Sequence, residues 1–91
     1  MNRKQILDEA SRIVCEGREY GTPEDNFAEI AALWSVYLRT KLKPKDVSVL
    51  MMLMKIARIK TGNAKDDNWI DIAGYAACGG EIEGIKDESR S

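Results

Sequence analysis

Apolar residues recur at helical intervals along most of this chain, and nowhere do they alternate as a strand would require. Ile6, Leu7, Ala10, Ile13, Val14 and Gly17 fall on one side of a first amphipathic helix, with Arg3, Lys4, Asp8, Glu9, Arg12 and Glu16 on the other. Thr22-Pro23-Glu24-Asp25 announces a second helix. Thr22 can cap it, Pro23 suits its first position, and the two acids meet the positive end of its dipole. This helix is expected to run to about Thr40 and to bury Phe27, Ile30, Ala31, Trp34, Tyr37 and Leu38. Pro44 interrupts the pattern, because its ring biases Lys43 away from helical geometry. A third helix is expected from about Lys45 to Lys60, apolar nearly all round from Val47 to Ile59, as at the centre of a bundle. Thr61-Gly62-Asn63 ends it, with Gly62 supplying a left-handed stop. Asp66 is the expected cap of a fourth helix carrying Trp69, Ile70, Ala73, Gly74, Ala76 and Ala77, which Gly79-Gly80 should weaken. The expected fold is all-α, a compact four-helix domain over residues 1–85 with a central apolar helix, followed by a frayed tail over 86–91.

Within the third helix, Lys55 and Arg58 interrupt an otherwise apolar run, and a buried cation costs several kcal/mol unless it is paired. The connection to the fourth helix is short, so the two should form an antiparallel hairpin. Reflection about Asn63 brings Lys55 to Asp71, Arg58 to Asp67 or Asn68, and Met51 to Tyr75. Asp67, Asp71 and Tyr75 are successive four-residue steps and share one helix face. One reading of this charged seam is structural: it fixes the register of the hairpin. The other is a polar pocket. If Glu29 of the second helix joins it, three carboxylates could hold Mg²⁺ while Lys55 or Arg58 meets a phosphate.

Composition narrows the choice of chemistry. The chain has 91 residues, 14 Lys and Arg against 15 Asp and Glu, and a formal net charge of -1, so it offers no basic face for nucleic acid. With no histidine, and with Cys15 and Cys78 far apart, neither a zinc site nor a His-based triad can be built. No apolar run reaches the roughly 18 residues that spanning a membrane needs, and no signal peptide is legible, so the expected address is cytoplasmic. Trp34, Trp69, the Met51, Met52 and Met54 cluster and both cysteines read as core residues. So apolar a central helix in so short a chain leads us to expect a homo-oligomer.

The stretches REYGTPEDNF, IAALW, DVSVLMMLMKIARI and DNWIDIAGYAA resemble a family of small phage- and prophage-encoded proteins of unknown function, from about Arg18 to Gly80. More remotely, K-x-x-R followed by D-x-x-x-D-x-x-x-Y is similar to the MazG-like, all-α nucleoside triphosphate pyrophosphohydrolases. That resemblance implies an oligomeric, Mg²⁺-dependent enzyme splitting a nucleotide between its α- and β-phosphates. The acidic motif of those enzymes, Glu-Glu-x-x-Asp, falls on Asp67, Asn68 and Asp71, and their upstream Glu-Glu-x-x-Glu helix has no good counterpart here. The chemistry of such an enzyme would make Asp71 and Glu29 metal ligands and Asp67 a third ligand or the orienter of the attacking water, the three serving as catalytic acids, while Lys55 and Arg58 would meet the phosphates and Asn68 and Tyr75 the rest of the substrate nucleotide. Asn68 replaces a carboxylate with a weaker Mg²⁺ ligand, which binding without turnover would survive. The competing expectation is a small helical interaction factor in which the seam is purely structural.

Overall fold

A computed structural model describes residues 1–16, 22–62 and 65–84. They form four helices and no strand: α1 (Arg3–Cys15), α2 (Pro23–Leu38), α3 (Pro44–Lys60) and α4 (Asp66–Gly84). The all-α, four-helix expectation is met. Gly17, Tyr20, Gly21, Asn63 and the tail over 86–91 lie outside the described residues. No helix among the described residues is long and apolar enough to cross a membrane.

Local chemistry explains the helix ends. Asn2 and Gln5 cap α1 reciprocally: Asn2 Oδ1 accepts from the Gln5 amide at 2.9 Å, and Gln5 Oε1 accepts from the Asn2 amide at 2.8 Å. Thr22 Oγ1 accepts from the Asp25 amide at 3.2 Å, with Pro23 opening α2 as expected. At the far end Arg39 takes the left-handed conformation, φ 55°, which stops α2 at Leu38 rather than Thr40. Ser35 ties this stop to the next segment, since its hydroxyl donates to the Ala31 carbonyl at 2.6 Å and accepts from the Leu42 amide at 2.8 Å. α3 opens on Pro44 itself, and Asp46 Oδ2 accepts from the Lys43 amide at 2.7 Å. Gly62, with φ 91°, follows its end.

One expectation about α4 is corrected. Asp66 lies in its first turn instead of ahead of it, where its charge still suits the dipole. Gly79-Gly80 lies inside the helix, which continues to Gly84. Contact with α3 accounts for this: a Cβ on Gly79 would stand 2.8 Å from Ser48 Cβ, so the missing side chain is what lets the helices close. That packing offsets the roughly 1 kcal/mol that glycine costs inside a helix.

The antiparallel α3–α4 hairpin is the frame of the molecule. α1 lies against α4, α2 lies against α3 and more lightly against α4, and α1 and α2 do not approach each other. Phe27, Ala31, Val47 and Cys78 form the buried core, with Val14, Trp34 and Tyr75 packed at its edge. Burial departs from expectation at several places. Tyr37 is 86% exposed, and Leu38, Leu7, Ile13 and Trp69 are exposed as well. The stripe of α2 that meets the hairpin ends at Trp34, so Tyr37 and Leu38 project one turn past it. Of the two cysteines, Cys78 is buried and Cys15 is exposed near the end of α1. α3 is central on one side only: Val47 and Ser48 are buried toward its neighbours, whereas Val49, Leu50, Leu53 and Ile56 are exposed.

Candidate functional site

Because α1 and α2 lean on the hairpin without meeting, they leave a cleft between them. It encloses a cavity of about 220 Å³ whose walls come from all four helices. α1 supplies Ile13 and Val14, α2 supplies Asn26, Phe27 and Ile30, and α3 supplies Met51, while Asp71, Gly74 and Tyr75 come from α4. Gly74 lets α1 close on α4, since a Cβ there would lie 3.1 Å from Val14 Cγ1. The Phe27 and Tyr75 rings face one another with centroids 6.4 Å apart and planes tilted by 36°. Most of the lining is apolar. Asp71 is the one carboxylate among the described residues that reaches it.

Asp71 is held from the α3 side. Lys55 Nζ lies 2.9 Å from Asp71 Oδ2, with the two side chains 12% and 33% exposed, so the pair is largely withdrawn from water. Reflection of the hairpin about its turn predicts this partner, and near the other end Lys45 meets Glu83 at 3.3 Å, two residues beyond the position the same reflection gives. Between these two ion pairs Ser48 packs against Gly79, where a Cβ would stand 2.8 Å from Ser48 Cβ. Three side-chain meetings thus follow one another along the hairpin.

The remaining expected site residues separate into two groups. Tyr75 is half-buried and lines the cavity together with Met51, as the reflection predicts. Arg58 and Asp67 are both exposed, and no ion pair joins them among the described residues. Asn68 is buried, at 5% exposed. Glu29 is exposed on α2. No group of three or more acids or cysteines among the described residues stands close enough together to hold a metal ion, so Glu29, Asp67 and Asp71 are not assembled into a Mg²⁺ ligand set. The reason is angular: α2 turns Phe27 and Ala31 to the core, which directs Glu29 away from it.

Asn26, Phe27 and Ile30 belong to the site although the charged seam does not point to them. Their signal is a short stripe on α2, Asn26 and Ile30 being one turn apart with Phe27 beside them. Ile13 and Val14 join through the packing of α1 on α4, a long-range pairing that periodicity does not carry.

Residues 5–83 match the profile of a family described as Domain of unknown function (DUF6378), and the chain belongs to that family. It is similar to the Gene 55 protein of Mycobacterium phage D29, 42% identical over 87 residues that cover 93% of this chain and 56% of the relative. Its likeness to the Gene 55 protein of Mycobacterium phage L5 is also 42%, over 74 residues covering 78% of this chain and 47% of the relative. The chain thus spans about half the length of these curated relatives. No solved structure matches it significantly. The expectation of a phage family of unknown function is borne out, and neither the family description nor the relatives' names mention nucleotide pyrophosphohydrolysis.

Proposed function

We propose that the cleft is a nucleotide site that binds without hydrolysis. The observation that carries this reading is Asp71, a carboxylate anchored by Lys55 in the wall of an otherwise mainly apolar cavity. A flat heterocyclic base suits such a lining, with its faces against Phe27, Ile30 and Met51 and its polar edge toward Asp71 and Asn26. At about 220 Å³ the cavity falls below the roughly 300–1,000 Å³ of sites for drug-sized ligands, so it takes the base while the phosphates stay in solvent. Arg58, exposed and on the same side of α3 as Lys55, supplies a cation for them. Mg²⁺ would arrive on the phosphates, where one protein carboxylate suffices, and the exposed Asp67 can supply it. The MazG-like pattern on α4 supports the ligand class. The separation of Glu29 from Asp67 and Asp71, and the amide of Asn68 at the motif's second acidic position, support binding over turnover.

A thermal-shift series of the purified protein with ribo- and deoxynucleoside triphosphates, each with and without Mg²⁺, tests this. Ligand at about 100 times its Kd should add about 2.7 kcal/mol of stability, and Asp71→Asn should abolish that gain. A series in which no nucleotide raises the melting temperature, or in which Asp71→Asn responds like the parent, sinks the proposal. The second reading, a helical interaction factor, is favoured by the outward apolar side of α3. On that reading Asp71→Asn lowers stability and nucleotides have no effect.

A further inference from the structure

We infer that the outward face of α3 is a docking surface for a second copy of this chain, running antiparallel about a two-fold axis at Leu53. At 100° per residue, Asp46, Leu50, Leu53, Ala57 and Lys60 fall within about 80° of one another. Their spacing of four, three, four and three residues is the seam of a coiled coil. Leu53 is 54% exposed at its centre, and Val49 and Ile56, 46% and 49% exposed, flank it. No described element of the chain covers Leu53 and its apolar neighbours on this stripe.

Charge selects the occupant and its direction. Asp46 and Lys60 each stand seven residues from Leu53, on opposite sides of it. In an antiparallel pair Asp46 of each copy meets Lys60 of the other, Leu50 lies beside Ala57, and Leu53 meets its own image on the axis. A parallel pair would set Asp46 against Asp46 and Lys60 against Lys60. A face that becomes complementary to itself on reversal is what an isologous dimer requires, and an unrelated partner would have no need of that symmetry. α3 has 17 residues and is about 25 Å long at 1.5 Å per residue, so one helix pair contributes at the low end of the roughly 1,200–2,000 Å² of stable interfaces. The dimer is therefore expected to be reversible and concentration-dependent.

Sedimentation velocity on the full chain over a range of concentrations, with circular dichroism to verify the fold, tests the assignment. The parent should shift from monomer to dimer as concentration rises. Leu53→Glu, which places two like charges on the axis at an exposed position, should weaken association at least tenfold with the helical signal intact. Lys60→Glu should weaken it too, because it sets a second acid against Asp46 of the other copy. A parent that stays monomeric at all concentrations overturns the inference, and leaves this face for a different chain or for the additional length found in the phage relatives. So does a dimer unmoved by both Leu53→Glu and Lys60→Glu, since it must then use another surface.

Discussion

The side of α3 that meets α4 and the side that faces away are built from residues of similar apolarity, but they differ in how finely they are fitted. On the inner side a serine fits over a glycine, a lysine finds an aspartate, and each contact depends on its neighbours for register. On the outer side the residues are large, exposed and uniform between two opposite charges. The contrast shows that hydrophobicity alone does not make a core. Small residues and matched charges decide which apolar face closes within the chain and which stays available.

Substitutions can break or sharpen this contrast. The largest effect is expected from Gly79→Ala, whose new methyl would stand 2.8 Å from Ser48 Cβ, so the hairpin must part, at a cost of about 1–3 kcal/mol in urea unfolding. A neutral result would mean that the inner side is looser than described. Asp71→Asn should cost about 1–2 kcal/mol. It leaves the Lys55 ammonium without its countercharge, and the one-third exposure of Asp71 keeps the loss below that of a fully buried pair. Ser35→Ala should cost about 1 kcal/mol by leaving the Leu42 amide unpaired, a loss visible in the same unfolding curves. Gly80→Ala is the smallest and has the opposite sign. Nothing lies within 4 Å of the position, so helix propensity should add about 0.5–1 kcal/mol, and a loss there would show that Gly80 has a contact in the folded protein.

Much of this architecture is legible in the sequence because it rests on local rules. Thr22-Pro23 and Gly62 mark helix ends by the conformations and hydrogen bonds they favour, and both are found in place. The Lys55–Asp71 pair is legible too, because a short connection makes two helices antiparallel and reflection then names the partner. What periodicity does not reveal is which of two apolar sides will be covered. α3 has apolar residues nearly all round, and Tyr37, Leu38 and Trp69 lie where no described neighbour buries them. For the same reason Glu29 looked close to the seam in sequence terms. Its direction depends on how α2 rolls against α3, and that roll is set by Phe27 and Ala31. Gly79 shows a further limit of composition, since a residue that costs helix propensity also permits α4 to pack closely on Ser48 of α3.

The single-sided attachment of α1 has a consequence for how the molecule breathes. Among the described elements its backbone approaches α4 alone, and it carries just one buried residue, Ala10. Such an element can open while the hairpin stays intact, so its amides should exchange with deuterium well before those in the middle of α3 and α4. α1 also forms one wall of the cleft through Ile13 and Val14, so its opening frequency sets how readily the interior is reached. A ligand seated there would appear first as slowed exchange across Arg3–Cys15.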